Sequence, residues 1–186
     1  MKQIILLFLA VFTLAGCSEN SLKKEFDCKN ASPDLPVKEY RDILKKFTLE
    51  LPAKWKTQLY YDEYSSEIFS ADTTKSLTKS YIFDVIWMQG ELSIDDSFIA
   101  NLNDSLQQKE QLRTIRSGKM EFQKKPGYWN LSEGERAGHT YHYLQIFTKV
   151  EPDAYLTAST KVFGDSAINE RLCESISLLD NIKFLK

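Results

Sequence analysis

Tyr81-Ile82-Phe83-Asp84-Val85-Ile86-Trp87-Met88 is the run that decides the fold. It is nearly all apolar, so both of its faces are expected to be covered, as in a central strand of a sheet. Toward the N-terminus, Phe47, Leu49 and Leu51 alternate with Thr48 and Glu50 before Pro52 breaks the run and Trp55 follows, which reads as a strand with one buried face. Tyr60 and Tyr61, then Ile68 and Phe69, read as further short strands turning through Asp62-Glu63.

Toward the C-terminus the period changes. Ser93 stands three residues before Asp96 in capping-box spacing, and Phe98, Ile99, Leu102 and Leu106 form a helical stripe wide enough to lie across a sheet. Strands are expected from Leu112 to Phe122 and from Tyr128 to Leu131, with a turn at Lys125-Pro126-Gly127 between them. A long hairpin follows, Tyr141 to Val150 and Tyr155 to Phe163, joined by Glu151-Pro152-Asp153. After Gly164 a second helix is expected, capped by Asp165 or Ser166, with Ile168, Leu172, Ile176 and Leu179 on one side; Ile182, Phe184 and Leu185 then close against the core. Burying all these stripes calls for an α+β fold, a mainly antiparallel sheet with helices on both faces.

The composition fits one packed domain. Of 186 residues, 12% are aromatic and 42% apolar, enough to offset the entropy of ordering the chain. The 24 basic and 26 acidic residues are spread without long runs of either sign, which argues against a nucleic-acid partner.

The N-terminus states an address. Lys2 precedes an apolar run from Ile4 to Leu14 that ends in Leu14-Ala15-Gly16-Cys17. The run is too short to span a bilayer, and the whole resembles a bacterial lipoprotein precursor with its lipobox. The resemblance implies residues 1–16 as signal peptide and Cys17 as the first mature residue, with a diacylglycerol on its sulfur and a further acyl chain on its amine. Losing Lys2 moves the formal charge from −2 to −3. Residues 17–36, rich in Ser, Asn, Lys, Asp and Pro, read as a lipidated tether, and residues 37–186 as the folded domain. Lys23 and Lys24 are few enough to add little headgroup attraction. Ser18 after the cysteine points to the outer rather than the inner membrane.

Once Cys17 is lipidated, Cys28 and Cys173 remain in a compartment where oxidation is permitted. A bridge between them would staple the tether's end to the C-terminal helix; the alternative is two separate thiols.

Phe47-x-Leu49-x-Leu51-Pro52-x-x-Trp55, the mid-chain helix, and Val162-Phe163-Gly164 leading into a helix that ends Ser175-Ile176 before Ile182-x-Phe184 resemble the PsbP-like fold. That fold is an α/β/α sandwich shared by an extrinsic photosystem II subunit, a Ran-binding nuclear-transport factor and small bacterial envelope proteins. The resemblance spans Phe47 to Phe184 and implies a binding or assembly module without catalysis.

Chemistry-bearing motifs are sparse. His139 and His142, three apart on a strand, point to opposite faces, and a shared metal would need a bend plus Glu133 or Glu135 as third ligand. No Gly-x-Ser-x-Gly elbow, glycine-rich phosphate loop or calcium loop is present. Asp95 and Asp96 fit the positive end of a helix; Glu133 and Glu135 could flank a cleft as acid and base, although that spacing also describes one solvated strand face. No catalytic residue, metal or cofactor is therefore expected. Aromatic residues remain, with Trp87 placed in the central strand and Tyr128 and Trp129, beside Pro126-Gly127, the candidate partner contacts. The expectation is a lipid-anchored envelope protein that binds another protein. The alternatives are a small-molecule carrier with a cavity between sheet and helix, and a hydrolase with an acidic cleft.

Overall fold

The structure, a computed structural model, describes residues 21–29 and 36–185. Cys17, the expected signal peptide and part of the expected tether lie outside the described residues.

Two sheets face each other across the main core. A three-stranded antiparallel sheet is formed by β1 (Val37–Arg41), β2 (Phe47–Pro52) and β10 (Ile182–Phe184), in the order β1-β2-β10. The larger sheet contains β3 (Lys56–Tyr61), β4 (Ser65–Ala71), β5 (Tyr81–Gln89), β6 (Arg113–Phe122), β7 (Lys125–Arg136), β8 (His139–Glu151) and β9 (Ala154–Phe163). Its seven strands run β3-β4-β5-β9-β8-β7-β6, all antiparallel. Helices α1 (Ser21–Glu25), α2 (Asp96–Ser105) and α3 (Ile168–Leu179) complete the described elements with two short helical turns at 77–79 and 106–110.

Period-two alternation assigns the faces of the large sheet. Phe83, Val85 and Trp87 of β5, Leu156, Ala158 and Val162 of β9, Leu144 and Ile146 of β8, and Trp129 and Leu131 of β7 share the inner face. They form one buried cluster with Phe47, Leu49 and Leu51 of β2 and Leu172, Ile176 and Leu179 of α3. On the opposite face the Phe98 ring of α2 meets Tyr128 and Phe147 edge-on at 5.9 and 5.2 Å, and Leu102 of α2 with Leu106 and Leu112 joins Tyr141 of β8, Phe163 of β9 and Ile82 of β5 in a second, smaller cluster. The α+β fold with helices on both faces is thus present, but β5 is fully covered on one face only. Ile82, Ile86 and Met88 on its outer face are half-buried.

Local chemistry differs from the sequence reading at three points. Asp95, not Ser93, caps α2, its carboxylate accepting from the Phe98 N–H at 2.9 Å. α3 has no side-chain cap at its start, since the residue before it, Ala167, is left-handed at φ 50°. There the buried Arg171 guanidinium instead gathers the loop, donating to the carbonyls of Ser80 and Phe163 at 2.9 Å and of Ser166 at 2.6 Å. The β6–β7 turn is Gln123-Lys124, with φ of 48° and 64°, as a two-residue hairpin of primed type requires. Lys125-Pro126-Gly127 instead opens β7. Gly127 is needed there for close approach, because a Cβ would sit 2.8 Å from the Phe147 carbonyl oxygen.

The expected tether is docked over residues 21–29. Leu22 and Phe26 are buried in the main core. The Phe26 ring packs edge-on against Trp129 at 5.2 Å, under the Arg116 guanidinium. Cys28 is bridged to Cys173 of α3 with 5.3 Å between Cα atoms. Lys23 pairs with Asp180 and Arg116 with Glu25. Composition misled here because two apolar side chains and one cysteine suffice to pin a segment that is otherwise polar.

The bridge closes a separation of 145 residues. Replacing Cys28 and Cys173 together by serine is expected to lower unfolding stability by up to about 4–5 kcal/mol through the gain in unfolded-chain entropy. Chemical denaturation of the oxidised protein and the double variant measures this, and alkylation of the native protein should find neither thiol free.

Candidate functional site

β3 is the edge strand of the large sheet, paired through β4 alone. Its side chains are exposed except at Thr57, which is half-buried. An edge strand carries a row of backbone donors and acceptors that no neighbour takes up. Natural edges are usually blunted by proline, bulges or charge, and β3 has none of these beyond Lys56 at its start. It ends instead in Leu59, Tyr60 and Tyr61, at 38, 47 and 64% exposure, and the turn that follows adds Tyr64 at 59%. These are most of the large exposed apolar side chains among the described residues.

The hairpin that presents them is rigidly built. Asp62 Oδ1 accepts the backbone N–H groups of Tyr64 and Ser65 at 2.8 and 2.7 Å, which also holds its carboxyl below the usual range. The Tyr64 carbonyl accepts the Gln89 N–H at 2.8 Å, tying the turn to β5. On the inner-face side, the Leu44 N–H donates to Ser66 Oγ at 3.3 Å, and Ser66 is the cross-strand partner of Tyr61. This brings the turn bearing the exposed Ile43 beside the same hairpin.

Tyr60 joins the edge to the uncovered half of the outer face. It lies directly opposite Glu67, which lies opposite Ile86. Beside them Asp84 accepts from Ser159 Oγ at 2.9 Å and pairs with Lys161 at 3.2 Å. Burial pushes the Glu67 carboxyl above its ordinary pKa, with the Asp84 charge adding to it and Lys161 opposing. Burial alone would lower the Lys161 ammonium, but Asp84 and then Tyr143 outweigh it and keep the group charged. Two carboxylates therefore share one cation, and Glu67 is the undercompensated member. Between Lys56 and Lys75 the chain holds Asp62, Glu63, Glu67 and Asp72 and no lysine or arginine. Asp72 is buried and paired with Lys54 and Lys75, so Asp62, Glu63 and Glu67 supply the acidity of this tyrosine-rich edge.

The other candidate residues fare differently. Tyr128 and Trp129, the candidate partner contacts, are 2 and 5% exposed, inside β7, and so do not present a surface to a partner. The Pro-Gly signal that suggested a loop belongs to the strand. His142 is also buried, at 8%; its Nε2 lies 3.8 Å from Glu133, yet burial lowers its pKa more than Glu133 raises it. His139 is exposed. Glu133 is held by Arg113 and faces an open groove of about 810 Å³, lined also by Glu135, Asn103, Gln107 and Thr114. Among the described residues, no cluster of three or more His, Cys, Asp or Glu side chains is placed to hold a metal, and no helix is long and apolar enough to cross a membrane.

No family model and no curated protein matches this chain in sequence. Solved structures do match in shape. Cyanobacterial PsbP (CyanoP) from Synechocystis sp. PCC 6803 aligns with a TM-score of 0.58 at 9% identity, over 85% of this chain and 97% of that one. The Saccharomyces cerevisiae Ran-binding protein Mog1p aligns at 0.51 and 8% identity, over 80% of this chain and 95% of that one. At such identities the likeness is one of fold, and the fold is PsbP-like.

Proposed function

We propose that this chain is a lipid-anchored protein of the cell envelope that binds an extended, basic segment of a partner protein along β3, without catalysis. The observation that carries the reading is the open edge itself. Among the described residues no strand pairs with the outer side of β3, which is flanked by tyrosines, the features by which strand addition gains affinity and selectivity. Tyrosine supplies large contact area at small entropic cost and is enriched in interfaces. The acidic balance of residues 57–74 favours a basic occupant, whose cation would relieve the crowded carboxylates at Glu67 and Asp84. A shared fold with a Ran-binding protein is consistent with a binding role, by analogy only.

The anchor rests on Leu14-Ala15-Gly16-Cys17, and Ser18 favours the outer membrane. Sulfur-linked and amine-linked acyl chains hold such a protein at the bilayer because each buried methylene contributes about 0.8 kcal/mol. A second reading, small-molecule binding, is favoured by one observation, the groove of about 810 Å³ between α2 and the β6–β7 strands. Its polar lining and openness suit it less than β3 suits a peptide.

Native co-purification from membranes tests the reading. Tyr60→Ala with Tyr61→Ala should reduce partner recovery about tenfold while leaving the fold intact, since both side chains are exposed. Cys17→Ser should abolish acyl labelling and release the protein from the membrane. Undiminished recovery with the tyrosine pair removed would contradict strand addition at β3.

Glu67 gives a second check. A carboxyl whose pKa is raised by folding binds its proton more readily in the folded state, so its contribution to stability falls as pH climbs through about 4.5. Glu67→Gln should therefore come close to the parent near pH 3.5, where the Glu67 carboxyl is mostly protonated in both the folded and the unfolded state, and exceed it at neutral pH. Thermal unfolding at the two pH values measures this, and the same variant should capture less partner.

A further inference from the structure

The docked N-terminal segment sets which end of the domain meets the membrane. If Cys17 carries the lipid, the leash is not the whole of residues 17–36, because Leu22 is buried in the core and Cys28 is bonded to α3. Only five residue steps separate Cys17 from Leu22. At about 3.3–3.6 Å each, they reach at most about 18 Å.

The attachment point is at one extreme of the large sheet. α1 packs against α3 and β6, with Arg116 of β6 bound to Glu25 at 2.9 Å and Phe26 set against Trp129 of the adjoining β7. β6 and β3 are the two edges of the seven-stranded sheet, six strand intervals apart. At about 4.8 Å per interval that is about 29 Å, before twist. A leash of about 18 Å cannot place the β3 edge against the bilayer with β6 above it.

Charge points the same way. The β6 edge and the α1 segment expose Lys24, Lys29, Arg113, Arg116, Lys119 and Lys124 against Glu25, Asp27 and Glu121, a positive balance even with Arg113 paired to Glu133 and Arg116 to Glu25. The β3–β4 hairpin carries Asp62, Glu63 and Glu67 and no lysine or arginine after Lys56. Anionic headgroups attract lysine and arginine near the surface and repel carboxylates.

We infer that the domain sits with its α1–β6 end against an anionic lipid surface, held by the disulfide-docked leash, and presents the β3 edge away from the membrane. This rests on the lipid anchor proposed above. It explains how an edge strand can remain open for a partner beside a bilayer.

The test uses the full lipidated chain in vesicles of phosphatidylethanolamine and phosphatidylglycerol containing a headgroup-spin-labelled lipid. A fluorescent amino acid is placed either at Ser117 on β6 or at Lys56 on β3, both exposed. Quenching at position 117 should exceed that at position 56 by about threefold, given their separation across the sheet. Equal or reversed quenching, in protein shown by intact mass to be acylated and found on the vesicles, would overturn the orientation. Absence of acyl mass and of vesicle binding would instead overturn the anchor. In the triple variant Cys28→Ser, Cys173→Ser, Phe26→Ala the segment is released, and the ratio should fall toward one. An unchanged ratio there would show that the docked segment does not set the orientation, and would likewise overturn the inference.

Discussion

Apolar burial on the inner face of the seven-stranded sheet organises everything else in the molecule. β2, β10, α3 and the buried α1 segment all pack on that face, and their side chains merge with those of β5, β7, β8 and β9 into one cluster. At about 25 cal/mol per Å² of apolar surface, such a contact dominates the folding energetics. One long sheet with most of its covering elements on one side leaves the other side short. α2 closes the outer face over β7 and β8, and no described helix lies over β3 and β4. The open edge and the half-buried carboxylates follow from how the covering elements are shared out, rather than from any separate device.

The same economy explains the polarity of the domain. The N-terminal segment seals the β6 end with Leu22 and Phe26, and the Cys28–Cys173 bridge keeps it there. That end exposes more basic than acidic side chains, whereas the β3–β4 hairpin at the opposite end is tyrosine-rich and carries Asp62, Glu63 and Glu67. Glu67 shows the local cost, since its carboxyl is partly desolvated without a cation of its own.

Much of the fold was legible because burial writes a period into the chain. The runs at Phe47–Leu51, Tyr81–Met88, Tyr141–Val150 and Tyr155–Phe163 all became strands, and the Phe98 and Leu172 stripes became α2 and α3. Period reveals which face is buried but not which strand is the neighbour, so the division into two sheets was hidden. β1 escaped notice because it is exposed along its length apart from Tyr40. At the site, Pro126-Gly127 drew attention to Tyr128 and Trp129, although register and the close approach at Gly127 had drawn those residues into β7. The usable signal lay elsewhere. Tyr60 and Tyr61 are adjacent, so in any strand one must face away from its partner's core, and eighteen residues from Thr57 pass without a basic side chain.

Backbone hydrogen exchange tests the central claim, that β3 is the occupied edge in the envelope, most directly. The lipidated protein would be compared in its native membranes and after purification, with exchange read peptide by peptide. Strand addition predicts slower exchange across residues 56–64 in the membranes, where a partner strand takes up the free amides, with little change at β6 beyond that due to the bilayer. Unchanged exchange at 56–64, with protection appearing over α2 and the groove beside Glu133, would contradict it.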